Sequence, residues 1–349
     1  MIRYTGSARF PEAVKPPSSG VPATMESMLS RISPVLHLTR VSTAFAAVSN
    51  VWFIVLWTRA NEAERRVAHG GVVDNELWVA LAGGVLLAMG LYCYAMALND
   101  TLDLRRDRAL HPDRPLPSGR VSIESAVGLV AGALIAALLG AVLLGIPAVL
   151  LTLLTAVAIL GYNAAAKYVP SVGLVLLSLI YGAYMVAANA ELLFVWPVWL
   201  AMTHALIVGA LTYRFAGRRP TLNWGMLLAA GMGWVFWSGV LFWVAARRGA
   251  IWPQWVDASA GAWVGAIAAG FAIFVIGRTR GSSHPQRTAE KIQRYGAWWL
   301  SLYGVGWMIG QGLQKEALIL ATLSLGGLIG MTALREIYGL LEHPVGYRR

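Results

Sequence analysis

The chain has 349 residues, of which 57% are hydrophobic and only 13% charged, and its mean hydropathy is +0.60. That composition excludes an ordinary soluble domain. The net charge of +11 does not mark a nucleic-acid binder, because the basic residues lie in short segments flanking apolar runs, where they set membrane topology. The single cysteine, Cys93, lies inside an apolar run, so there is no disulfide framework.

Residues 1 to about 33 are rich in Pro, Ser and Gly and have no continuous apolar segment. They do not read as a signal peptide but as a disordered cytoplasmic tail, with Met25 as an alternative start. Apolar runs of bilayer-spanning length then follow at roughly 38–58, 77–98, 121–144, 147–162, 171–189, 195–213, 222–246, 254–277, 295–313 and 316–340. Gly83, Gly84, Gly90, Gly128, Gly132 and Gly140 permit close helix contact. Gly145-Ile146-Pro147 makes a tight turn between two runs, and Pro170 and Pro197 sit near span starts, where a missing N–H is harmless. With the tail inside, 22 of the 28 Lys and Arg residues fall on the inner side and 6 on the outer, a strong positive-inside bias. Trp57, Trp78, Trp196, Trp199, Trp243, Trp252, Trp255 and Trp307 fall near outer ends, as an interfacial belt would.

The second run ends in Asn99-Asp100-Thr101-Leu102-Asp103-Leu104-Arg105-Arg106-Asp107. On a helix, Asp100, Asp103 and Asp107 share one face, with Asn99 and Asp103 an i, i+4 pair beside them. Clustered carboxylates repel unless a cation sits among them, and hard oxygen donors without His or Cys suit Mg²⁺, which keeps positions for water and phosphate oxygens. An acidic helix end balanced by Arg105, Arg106 and Arg108 is the bland reading. Three further segments are placed on the same side. They are His111–Arg120, which contains Arg114-Pro115-Leu116-Pro117-Ser118-Gly119, then Tyr162–Tyr168, and then Tyr213–Pro220 with Arg214, Arg218 and Arg219. Asn50, Asn189 and His204 lie within apolar runs. Asn50 and His204 could line a pocket, but residues of this kind are more often interhelical hydrogen-bonding groups. The basic loop from Arg278 to Arg294 reads as a solvated inner loop that attracts anionic lipid.

The pattern Asn99-Asp100-x-x-Asp103-x-x-x-Asp107, followed by Arg114-Pro115-Leu116-Pro117-Ser118-Gly119, resembles the first motif of the UbiA-type intramembrane prenyltransferases. Tyr162 and Lys167 resemble that family's Tyr…Lys element after the fourth helix. The resemblance covers about residues 36–313. It implies an all-α polytopic membrane protein, a bundle of nine transmembrane helices around a central cavity. The span at 316–340 would be an addition, so the chain divides into a tail at 1–33, a prenyltransferase domain at 34–313 and an extra C-terminal helix with its tail at 314–349. It also implies Mg²⁺-dependent transfer of an isoprenoid group from a prenyl diphosphate to an unidentified acceptor, aromatic among the options. The setting would be a bacterial inner membrane, with the site on its cytoplasmic side.

The same resemblance assigns Asn99, Asp100, Asp103 and Asp107 to the metal, with Asp107 alternatively orienting Arg106 or Arg114. Lys167 and Tyr162 would donate to the diphosphate and, with Asp100 and Asp103, carry catalysis. Arg114, Lys167, Arg214 and Arg218 would bind the diphosphate. One departure stands out. The family usually has a second aspartate motif after the sixth helix, whereas the only acid between Glu124 and Asp257 is Glu191. Either arginine takes the place of one metal, through its planar fork, or the protein binds an isoprenoid without reacting it. The sequence does not match the Asp-Gly-x-x-Ala-Arg pattern of CDP-alcohol phosphotransferases. A transporter would be expected to place its polar groups at mid-membrane, and the continuous apolar runs exclude a soluble prenyl-chain synthase.

Overall fold

The structure is a computed structural model that describes residues 44–280 and 283–342, without the side chains of 334–342. The expected tail at 1–33 and the terminal Arg348 and Arg349 lie outside the described residues. All regular structure among the described residues is helical. Ten helices have 16 residues or more: α1 (Phe45–Ala60), α4 (Leu77–Leu102), α6 (Ile123–Leu144), α7 (Ile146–Ala164), α8 (Pro170–Val186), α9 (Trp196–Phe215), α10 (Trp224–Arg247), α11 (Ala258–Thr279), α12 (Pro285–Gly310) and α13 (Gln314–Glu342). Three short ones fill connections: α2 (Glu62–Val67), α3 (Gly71–Asp74) and α5 (Leu104–Leu110). These ten correspond one for one to the ten apolar runs.

Local sequence sets the boundaries. Ser122 and Asn223 accept the Ser125 and Met226 backbone N–H at 3.1 and 2.9 Å, capping α6 and α10. Pro147, Pro170, Pro197 and Pro285 occupy first turns. The turn from α6 into α7 passes through Gly145 at φ +122°, which a side chain would strain.

Among the described residues, seven helices are long and apolar enough to cross a membrane, including residues 314–333 of α13, while α1 and α8 are shorter apolar helices. The outward faces are apolar: Leu139, Ile146, Leu150, Leu154, Val157, Leu228, Val235 and Phe236 are all more than half exposed. A continuous surface of this kind belongs in lipid. The chain is therefore an all-α polytopic membrane protein. α13 packs against α12 and α1, with Gly327 against the Phe45 ring, so it lies against the bundle.

The tightest seam joins α4 to α6. A Cβ on Gly90 would lie 2.5 Å from the Ala137 nitrogen, and one on Gly140 would lie 2.4 Å from the Leu87 nitrogen. No side chain fits at either point, so the two backbones are in direct contact. Gly83 also meets α6, at Leu143 and Gly140, and Gly84 meets Val51 and Trp52 of α1, whereas Gly128 and Gly132 face open space. Those last two glycines lie on the opposite face of α6 and do not serve helix packing as expected.

At the end of the bundle opposite Asn99, aromatic rings form a plug. Phe194 stacks on Trp57 at 5.3 Å and meets Trp307 and Trp252 edge-on at 5.0 and 5.3 Å, while Trp255 approaches Trp57 at 6.0 Å. Trp78 and Trp243 are exposed, as expected of a belt, but Trp57 and Trp307 are buried in the plug. Proximity to a span end does not distinguish an inward ring from an outward one.

Candidate functional site

The acidic stretch closes α4 and opens α5. Asp103 interrupts the helix for one residue, at φ −83° and ψ −1°, yet its N–H still reaches Asn99 O at 2.9 Å and its carbonyl takes the Asp107 N–H at 2.8 Å. The backbone therefore nearly keeps the predicted helical spacing, but the side chains do not keep company. Asp107 is buried and pairs with Arg114, Nη1 to Oδ2 at 2.6 Å. The cause is the segment after α5. Leu116 is buried on Ala97, Val121 and Ala126, which folds 111–121 back over the helix ends and brings the guanidinium to Asp107. Of the expected alternatives for Asp107, the structure shows the pairing with Arg114.

Asn99, Asp100 and Asp103 stay together. Asn99 Nδ2 donates to Asp100 Oδ1 at 3.1 Å, and Asp100 is buried. Asp103 is held from across the bundle by the 3₁₀ turn Ala166–Tyr168, which follows α7. Lys167 Nζ donates to Asp103 Oδ2 at 2.8 Å and to Asn99 Oδ1 at 3.0 Å, and Tyr168 OH donates to Asp103 Oδ1 at 3.0 Å. Partial burial and the Asp103 carboxylate push the Tyr168 phenol above its ordinary range. Asn163, buried on the last turn of α7, donates to Ile159 O at 3.1 Å and to Ala95 O of α4 at 3.5 Å, fixing the two helices beneath the site.

The third segment comes near without bonding. Asp103 and Arg218 both lie within electrostatic reach of the Tyr162 hydroxyl, and Arg106 and Arg218 within reach of Tyr213. Tyr213 OH donates to Pro220 O at 2.8 Å, and the Arg218 guanidinium lies 6.0 Å from the Tyr213 ring centroid. Arg214, Arg218 and Arg219 are exposed, and among the described residues none forms an ion pair with the acidic stretch. The structure thus brings together Asn99, Asp100, Asp103 and Lys167 and places Tyr162 and Arg218 nearby, while Arg214 is exposed on the last turn of α9.

Among the described residues no three His, Cys, Asp or Glu side chains gather as a metal cage. Of the four predicted ligands, Asn99, Asp100 and Asp103 are linked through the bonds given above, and Asp107 is paired with Arg114. The residues that remain still suit a hard divalent ion in kind. Asn99 Oδ1 and Asp103 Oδ2 converge on one point, and the Lys167 ammonium stands there as a cation.

Sequence reasoning singled out Tyr162 and missed Tyr168, whose hydroxyl reaches Asp103. Tyr162 lies on the last turn of α7 and Tyr168 ends the 3₁₀ turn that follows it. It also missed Glu64. This carboxylate is 0% exposed on the short α2 and accepts the Leu193 and Phe194 N–H at 3.0 and 2.9 Å. Burial raises its pKa, and those two N–H groups pull it partly back. No spacing signal marks it, since its partners are backbone groups about 130 residues away. Asn50 and His204 make interhelical bonds, to Tyr184 OH and to both Tyr303 OH and Gly296 O, while Asn189 lies in the loop after α8 and donates to Thr58 Oγ1 of α1.

Residues 66–192 match the sequence model of the UbiA prenyltransferase family. A digeranylgeranylglyceryl phosphate synthase of Metallosphaera sedula is 34% identical over 99 residues, covering 27% of this chain and 35% of that protein. The match thus spans about a third of that curated relative's length. A solved structure of a digeranylgeranylglyceryl phosphate synthase in membranes is similar over 81% of this chain and 99% of its own, at 16% identity and a TM-score of 0.49. A UbiA homologue of Archaeoglobus fulgidus, bound to GPP and Mg²⁺, is similar over 86% and 99%, at 14% identity and a TM-score of 0.41. The matched segment contains Asn99–Asp107, Arg114–Gly119 and Tyr162–Tyr168, so the motifs that carry the resemblance lie inside it: over residues 66–192 this chain is similar in sequence to the UbiA prenyltransferase family.

Proposed function

We propose that the protein transfers an isoprenyl group from a prenyl diphosphate to a membrane-borne acceptor, at the end of the bundle formed by Asn99, Asp100, Asp103 and Lys167. The observation that carries this reading is the convergence of Asn99 Oδ1 and Asp103 Oδ2 on one cation position, 3.0 and 2.8 Å from the Lys167 nitrogen, at a membrane mouth. Costly polar groups at such a depth are functional by default. The reading is supported by the family segment and by the relatives' chemistry, since the Archaeoglobus fulgidus homologue binds a prenyl diphosphate with Mg²⁺.

Asn99, Asp100 and Asp103 would hold Mg²⁺, which supplies charge compensation for a departing diphosphate. The chain's own groups do the rest. Lys167 and Tyr162 donate to the diphosphate, Arg114 rests at the rim against Asp107, and Arg218 offers its guanidinium fork where the family usually has acids. Fixed donors aimed at a leaving group favour the state in which its charge develops. The isoprenoid tail, wholly apolar, lies along the helices toward lipid. The 22 to 6 charge bias puts this end on the cytoplasmic side.

The test is release of diphosphate from a radiolabelled prenyl donor by the purified protein in native lipid extract, with and without Mg²⁺. A glycerol phosphate lipid and an aromatic acid would be offered as acceptors. Metal-dependent release with a prenylated product supports the proposal. Donor binding with no release under any acceptor would favour the second reading, a non-catalytic isoprenoid binder, for which the protein-cation partners already on Asp103 and Asp107 are the supporting observation.

A further inference from the structure

The Ala166–Tyr168 turn delivers two donors to one carboxylate. Lys167 Nζ sits 2.8 Å from Asp103 Oδ2 and 3.0 Å from Asn99 Oδ1, while Tyr168 OH holds the other oxygen of Asp103 at 3.0 Å. The lysine and aspartate side chains are only 11% and 13% exposed. The turn itself is seated, since a Cβ on Gly173 of α8 would lie 2.9 Å from Ala166 O and 3.2 Å from Lys167 Cα. Its backbone is therefore fixed by close packing, whereas the four-carbon stem of Lys167 can swing.

An ammonium carries three donors and no acceptor, and two hard oxygens converging on it offer what a small divalent ion also takes. Two cations cannot share that point, and in a mouth partly shielded from water their repulsion is strong. We infer that Lys167 is the resident counter-ion of the Asn99–Asp103 pair in the donor-free protein. It yields that position to the divalent ion only when a diphosphate is there to receive its ammonium. Tyr168 is then a positioning residue, keeping Asp103 Oδ2 pointed at the shared position whichever cation is present. The inference rests on the reading of the site given above, and it makes metal and donor bind together: metal alone must displace a lysine that has nowhere to go.

Mn²⁺ binding to the full-length protein in detergent, followed by electron paramagnetic resonance with and without inorganic pyrophosphate, tests this without any turnover. Wild type should bind Mn²⁺ weakly, and pyrophosphate should tighten that binding about tenfold or more. Lys167→Met should bind Mn²⁺ about tenfold tighter than wild type without pyrophosphate and gain less from adding it. Lys167→Arg, which keeps the charge, should behave like wild type. A Lys167→Met protein that melts like wild type yet binds Mn²⁺ no tighter overturns the inference. Should Lys167→Met fail to fold, Lys167→Gln, which keeps a hydrogen-bond donor and loses the charge, decides by the same criterion. Asp103→Asn separates the two levels: Mn²⁺ binding unchanged in that variant moves the ion elsewhere and removes the site reading itself, whereas loss there with no Lys167 effect removes only the counter-ion role.

Discussion

The two ends of this bundle handle buried charge in opposite ways. At one end Asp103 and Asp107 are balanced by side-chain cations, Lys167 and Arg114, on segments between helices. Such partners can let go and take up a ligand. At the other end Glu64 is balanced by two backbone N–H groups of the loop between α8 and α9, and the rings of Trp57, Phe194, Trp252 and Trp307 close over the helix ends beside it. Those partners cannot leave without unfolding the loop. The difference teaches how to tell a working charge from a structural one in a chain with so few: by whether its partner is exchangeable.

Variants can break or sharpen that contrast. The largest effect should follow Asp103→Asn, which removes the charge that pairs with Lys167 and that, in the proposed function, would hold a divalent ion. Turnover of radiolabelled prenyl diphosphate should fall about a thousandfold, with the melting temperature little changed. At the opposite end, Trp57→Ala should remove about 3–4 kcal/mol of stability, read by thermal or denaturant unfolding in detergent, while turnover per folded molecule persists. Glu64→Ala leaves two buried N–H groups without an acceptor, a loss of about 2–3 kcal/mol, again in stability and not in turnover. Its pH dependence has a definite sign. Because burial raises the folded-state pKa above 4.5, the folded protein binds that proton more tightly than the unfolded chain does. Wild-type stability relative to Glu64→Gln should therefore fall as pH rises from 4.5 through the raised value, and then level off.

A smaller effect is expected of Arg218→Ala, with donor KM rising about tenfold, some 1.4 kcal/mol, and kcat moving less. Unchanged donor affinity would argue against arginine standing in for the absent acidic motif. Smallest of all is His69→Ala. The Glu191 carboxylate 2.6 Å away raises the His69 pKa, but the imidazole is largely exposed and the pair is screened. A slight loss of thermal stability should appear at acidic pH and vanish as pH rises through the folded pKa.

Much of the fold was legible in the sequence, since run length and Pro, Ser and Asn signals mark helix ends and each of the ten runs became a helix. The nucleus of the candidate site was legible as well, because Asn99, Asp100 and Asp103 lie within one helical turn and local spacing suffices. What escaped depends on contacts far apart in the chain. Asp107 has Arg114 as its partner because the segment that carries Arg114 is seated through Leu116 on Ala97 and Ala126. Tyr168 reaches Asp103 only through the geometry of a three-residue turn, which no spacing in the sequence marks. Glu64 is invisible because backbone amides carry no sequence signature. The tryptophans were located along each helix but not around it, which separates Trp78 at the surface from Trp57 in the plug.

The seam at Gly90 and Gly140 has a mechanical corollary. With the α4 and α6 backbones in direct contact, α4 has no slack to slide along its axis, and the acidic stretch at its tip is anchored like the jaw of a vice. In the proposed function, any opening or closing then falls to the arms around it, the Lys167 stem and the Arg114 loop. A bulkier residue at Gly90, even one far from any charge, would misalign that fixed jaw against both.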